Sequence, residues 1–288
     1  MYKIIFEDDD PRYAEPLLDR APENMELDYF DNWEEAFSKL IENFEQYDAI
    51  IIDGKSRKTK EDKGDDFSHV LKATQDLSRL QGEGKYIPYV VLSKYLDVKG
   101  IIDPEIFFEK GKDEDRMFSY LEQIIKESPV AKLKSKYPEA FKVFDNEIMK
   151  IKYRHNLIEM LNCLENNDYK KKNMNVVRDL LESFFLTLID DYDCIPEEFK
   201  NSNNKPNQQW CTLFFAGKDV RDANGQTHKI EFKIPDHISW SITYIKELTN
   251  GFSHINENEN LKNNFTAVSY AMIEVLEWLH GFINKNYE

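Results

Sequence analysis

The stretch Tyr47-Asp48-Ala49-Ile50-Ile51-Ile52-Asp53-Gly54 constrains this chain more than any other. Four consecutive apolar residues, three of them β-branched, suit a strand buried on both faces, as in a parallel sheet covered by helices. Such sheets bind ligands at the carboxyl ends of their strands, so Asp53 stands where chemistry is placed, on rigid backbone at the sheet's edge. On this run alone, a carboxylate that merely caps the next loop fits equally well.

The surrounding sequence extends the pattern. Lys3 to Phe6 reads as a buried strand that runs into Glu7-Asp8-Asp9-Asp10-Pro11. Four consecutive acids repel one another, so they are either solvated at a helix start or gathered around a cation. Helical spacing follows over Arg12–Arg20, strand alternation over Met25–Tyr29, and helical spacing again over Asn32–Phe44. Beyond Asp53 a charged loop, Lys55 to Asp66, exceeds an ordinary strand-to-helix connection. A helix from Phe67 to Leu80, a strand from Tyr86 to Leu92, a short strand at Ile106–Phe108 and a helix from Asp113 to Glu127 complete the first half. Strands alternating with helices five times predict a doubly wound five-stranded parallel sheet over residues 1–128. The acid cluster, Asp53, Ser93 and Lys110 all fall at strand ends, and neighbouring strands would bring them to one edge. Carboxylates gathered in this way suit Mg²⁺, which takes few carboxylates plus water and phosphate oxygens.

Charge divides the chain at about residue 130. Residues 1–128 hold 18 Lys and Arg against 31 Asp and Glu, and the remainder holds 20 against 23. The acidic first half argues against a nucleic-acid surface there, while the second half leaves RNA open. No basic segment followed by an apolar one opens the chain, and no apolar run is long enough to span a membrane. Three cysteines without metal-like spacing argue against a disulfide framework. A cytoplasmic protein with no membrane partner is expected.

These residues resemble the receiver domain of the response-regulator family, the phospho-accepting half of two-component signalling. The family's pattern is an acidic pair after the first strand, an acceptor aspartate after the third, Ser or Thr after the fourth and Lys after the fifth. It maps onto Asp8 and Asp9 (with Glu7 as an alternative first acid), Asp53, Ser93 and Lys110. Phe107, three residues before the lysine, matches the aromatic switch position. The resemblance implies a flavodoxin-like fold, phosphorylation of Asp53, Mg²⁺ held by Asp8, Asp9 and Asp53, and phosphate contacts from Ser93 and Lys110. A histidine kinase or phosphotransfer protein would be the partner. Gly111 stands where the family has proline, and the loop after Asp53 is longer than usual.

After a basic link over residues 129–138, apolar spacing turns helical from Glu139 to the end, apart from a small hairpin expected around Asn224-Gly225 that pairs Val220 with Ile230–Ile234. An α/β domain followed by a helical output domain over 139–288 is expected. Arg178 and Glu182 are spaced to pair along one helix. No nucleotide loop, zinc spacing or helix-turn-helix signature appears. Arg178-Asp-Leu-Leu-Glu182, Asn250-Gly-Phe-Ser-His254 and a long closing helix are similar to the HEPN superfamily of helical domains. That similarity implies an output site at Asn250, His254 and Arg178, although Thr249 replaces the arginine that precedes Asn in the nuclease motif. A signalling protein whose receiver controls a protein partner or homodimer is the first function these features allow. The alternatives are a receiver-gated ribonuclease, with His254 as acid/base and Arg154 or Arg178 on phosphate, and a pseudo-receiver fused to a dimerisation bundle.

Overall fold

A computed structural model describes residues 1–56, 58–59, 68–82, 85–251 and 261–287. Most of the long loop after Asp53 lies outside these residues, as does His254. The chain divides into two compact units, Met1–Lys132 and Leu133–Glu288.

In the first unit, β1 (Tyr2–Glu7), β2 (Met25–Phe30), β3 (Ala49–Asp53), β4 (Tyr89–Ser93) and β5 (Phe107–Glu109) form one parallel sheet in the order β2-β1-β3-β4-β5. This order is compatible with a flavodoxin-like fold. Helices α1 (Pro11–Asp19) and α4 (Glu114–Glu127) pack on one face, and α2 (Trp33–Glu42) and α3 (Ser68–Gly82) on the other. Strand alternation assigns the side chains to faces. Ile50 and Ile52 join Ile5, Val91 and Phe107 beneath α2 and α3. Ala49 and Ile51 join Ile4, Phe6, Val90, Leu92 and Phe108 beneath α1 and α4. All five residues of β3 are buried, which is why its sequence is continuously apolar.

Two expectations are corrected in this unit. β4 begins at Tyr89 rather than Tyr86, because Pro88 has no N–H for the ladder; its carbonyl still accepts from the Ile50 N–H at 3.0 Å. β5 begins at Phe107 rather than Ile106, because Ile106 closes the second of two short 3₁₀ turns, Leu96–Gly100 and Pro104–Ile106. Gly100 and Pro104 leave too few uninterrupted residues to nucleate a helix there.

The second unit is helical. Residues 129–138 hold α5 (Pro129–Lys136), started by Ser128, whose Oγ accepts from the Ala131 N–H. Then follow α6 (Pro138–Asp145), α7 (Arg154–Glu165), α8 (Asn173–Asp190), α9 (Gln208–Phe215), α10 (Asp236–Gly251) and α11 (Lys262–Tyr287). Twelve of the eighteen residues of α8 are buried, so it runs through the core with neighbours on most sides. The hairpin forms, but Val220–Arg221 (β6) pairs with Thr227–His228 (β7), not with Ile230–Ile234. Asp222 draws the turn tight by accepting from the Asn224 and Gln226 N–H groups. Ile230, Phe232 and Ile234 still alternate inward against the helices, without a strand to pair with. No described helix is long and apolar enough to cross a membrane.

Candidate functional site

The four acids after β1 are put to three different uses. Alternation along β1 turns Glu7 toward α2 and α3, on the same face as Ile5. There it is fully buried, accepts a hydrogen bond from Ser56 Oγ, and lies 3.1 Å from His69 Nε2 of α3. Burial disfavours an imidazolium, but the Glu7 carboxylate outweighs it and raises the pKa of His69. Asp10 caps α1, accepting from the Arg12 N–H and the Arg12 guanidinium. Asp8 and Asp9 remain at the end of the sheet.

There they meet Asp53. One carboxylate oxygen each from Asp8, Asp9 and Asp53 lies within 4.8 Å of the others. The Lys110 ammonium, on a side chain only 9% exposed, stands 2.6 Å from Asp8 Oδ2 and 3.0 Å from Asp53 Oδ1. Sheet geometry explains the meeting. β3 lies between β1 and β4, and the Lys110 N–H donates to the Ser93 carbonyl at 3.0 Å, continuing the β4–β5 ladder. Ser93 is buried at the end of β4, where its Oγ accepts from the Tyr95 N–H. Phe107 is buried in the α2–α3 core, on the face of the sheet opposite to that of Ile51 and Phe108, which lead to Asp53 and Lys110.

One ammonium does not offset two deeply buried carboxylates. Burial, with Asp8 and Glu7 nearby, pushes Asp53 up to about 7 against the pull of Lys110. Burial raises Asp8 as well. Three hard oxygen donors from three carboxylates at this spacing suit a small divalent cation such as Mg²⁺, which would relieve that cost.

Close packing at the strand ends fixes the approach to Asp53. A Cβ on Gly54 would lie 2.6 Å from both Cβ and Oγ of Ser93 and 3.0 Å from Val98 Cγ2. Gly54→Ala should therefore push the ends of β3 and β4 apart and cost about 1–3 kcal/mol of stability, read as a lower urea midpoint. An unchanged midpoint would mean that the strand ends yield freely.

The turn after Lys110 is held by residues that no motif marks. Gly111 has φ +81°, a left-handed conformation that glycine adopts without strain. The Glu114 carboxylate accepts from the Gly111 N–H and, at 2.6 Å, from Tyr13 OH. The Tyr13 ring in turn faces Lys110 Nζ at 4.8 Å. Although burial opposes it, these donors hold Glu114 below the usual carboxylate range. Its contribution to stability is thus present at neutral pH and lost as pH falls through that lowered pKa. Glu114→Ala should cost about 1–3 kcal/mol at pH 7, with Glu114→Gln recovering part of it, and equal urea midpoints for all three proteins would remove Glu114 from this role. Glu114, three residues beyond a glycine, and His69, a lone histidine on an apolar helix face, were the available sequence signals.

In the helical unit, Arg178 and Asn250 line one cleft. His254, the third residue of that motif, lies outside the described residues. α10 continues to Gly251, so Thr249 and Asn250 are in its last turn rather than in a loop. Glu182 does not pair with Arg178; it pairs with Lys205 at 3.0 Å. The Arg154 guanidinium lies over the Phe141 ring, 5.8 Å from its centre.

The chain matches no protein-family model, and no curated protein or solved structure is significantly similar to it.

Proposed function

We propose that the first unit is a receiver that accepts a phosphoryl group on Asp53 and signals through the helical unit, to a protein partner or a second copy of the chain. The observation that carries this reading is the buried meeting of Asp8, Asp9, Asp53 and Lys110 at the carboxyl end of a parallel sheet. Asp8, Asp9 and Asp53 would hold Mg²⁺, which supplies charge neutralisation for the transferred phosphoryl oxygens.

The chain's own residues supply the rest. An Asp53 carboxylate oxygen attacks the phosphorus of a small acyl phosphate or a phosphohistidine. A P–O bond to Asp53 forms while the donor's bond to phosphorus breaks, and the leaving group departs with that electron pair. Lys110, fixed between Asp8 and Asp53, is placed to pair with the incoming phosphoryl group once Asp53 is esterified. The Ser93 hydroxyl would donate to a phosphoryl oxygen, drawing the segment after β4 toward the site.

Beryllofluoride, which mimics a phosphoryl group on a carboxylate, tests the reading. Saturable binding that needs Mg²⁺ and raises the melting temperature is expected. No binding by the folded protein would leave the site a charge cluster without phosphoacceptor function.

A further inference from the structure

The helical unit contains a polar site of its own. A cleft of about 290 Å³ opens among α8, the 201–206 turn, the first turn of α9 and the end of α10. Its lining runs against the charge of the whole chain. In a protein of net charge −16, three cations, Arg178, Lys205 and Lys246, face it with one carboxylate, Glu182, among the described residues. Glu182 is already engaged by Lys205.

Hydrogen-bond donors stand in the lining beside an amide that lacks partners among the described residues. Arg178 brings five guanidinium N–H groups and makes no hydrogen bond or ion pair with any described residue. Lys246 is 7% exposed, and among the described residues two of its three protons have acceptors, Gln209 Oε1 and Glu247 Oε1. Both side-chain amide atoms of Gln208 are shut off from solvent without a hydrogen-bond partner among the described residues. Buried amides without partners are costly and point to a group that completes them.

The cleft is also rigidly framed. Lys200 and Pro206 form an antiparallel bridge, and the Asn201 side chain accepts from the Asn203 and Lys205 N–H groups, so Lys205 is carried on an ordered turn. Asn207 caps α9 by accepting from the Trp210 N–H, which places the positive end of that helix beside Gln208.

From these features we infer that the cleft binds a small phosphate-bearing anion. A planar guanidinium whose donors meet no acceptor among the described residues, a buried ammonium and a carboxamide recognise phosphoryl oxygens, and Arg178 can do so with two parallel bonds. Pro206 is the one apolar residue of the lining among the described residues, so a ligand dominated by rings or hydrocarbon would find little there to pack against. Size and chemistry together favour one or two phosphoryl groups on a compact molecule. This inference does not depend on phosphorylation at Asp53.

The test is calorimetric titration of the full chain with inorganic pyrophosphate, in EDTA and low salt so that no divalent ion bridges it to Asp8, Asp9 and Asp53. Saturable one-to-one binding that weakens with added salt is expected. Arg178→Gln should lower the affinity by about tenfold or more, since it removes a charge-assisted contact without emptying a core position. Asn250→Ala should weaken binding less, and Asp53→Asn should leave it unchanged. Matching melting curves would establish that the variants are folded. Absence of saturable binding, equal affinity in parent and Arg178→Gln, or binding lost in Asp53→Asn would each overturn the inference. So would a single-stranded RNA that binds at Arg178 and is not displaced by pyrophosphate, because the cleft would then be part of an RNA surface.

Discussion

Lys110→Met should be the most damaging single change in the N-terminal unit at neutral and higher pH. Lys110 is the one ammonium among the described residues within ion-pair distance of both Asp8 and Asp53. Its pKa is raised because, although burial opposes its charge, the two carboxylates more than compensate. Without it, two buried carboxyl groups face each other and Glu7 after losing the ammonium that pairs with both. Breaking a buried pair from one side costs about 3–5 kcal/mol, far more than the net worth of the pair itself. The pH dependence carries the diagnosis. In the variant both carboxyl pKa values rise further, so the folded form prefers them protonated. Stability should recover as pH falls from 8 toward 5 and the acids take up protons. Urea midpoints at pH 8 and pH 5 measure this, and a loss of equal size at both values would contradict the electrostatic account.

Asp53→Asn should have the opposite effect on the metal-free protein. With its folded pKa raised to about 7, Asp53 is held more easily as the neutral acid than as the carboxylate. Ionising it as pH climbs from its unfolded value through 7 therefore costs stability, and the full cost is present by pH 8. Asparagine has nearly the same shape without the charge, and Lys110 keeps Asp8 as its partner. The variant should gain on the order of 2 kcal/mol at pH 8 in EDTA, a rise of several degrees in melting temperature, and little at pH 5. The same substitution removes a cation ligand, so the stabilisation that Mg²⁺ gives the parent should be largely lost. Greater stability with less response to Mg²⁺ distinguishes a functional carboxylate from a structural one, since replacing a structural ion-pair partner would lower stability.

Much of the sheet was legible because a strand covered on both faces leaves a plain mark. The run Ala49–Ile52 has no polar residue, and its acid comes where the ladder ends. Asp8, Asp9, Asp53, Ser93 and Lys110 were legible for a related reason: each is a polar residue at or just beyond the end of a buried strand. Residues that act across the fold were not. Tyr13 and Glu114 lie 101 positions apart and have no spacing to betray their hydrogen bond. Glu7 and His69 meet only because strand alternation turns Glu7 away from the other acids. The alternation at Ile230–Ile234 is real, but alternation reports one buried face and not the presence of a pairing strand. In the helical unit, Arg178, Lys205, Gln208 and Lys246 come from four segments, and only packing brings them to one cleft.

Phosphoryl transfer to Asp53 can be followed at the level of the atom. The full chain is incubated with acetyl phosphate and Mg²⁺, trapped by borohydride reduction of any acyl phosphate, and mapped by peptide mass spectrometry. Reduction at residue 53 alone, absent without Mg²⁺ and in Asp53→Asn, is the predicted result. Folded protein that binds Mg²⁺ yet carries no reduced residue at 53, or carries it elsewhere, would contradict the account.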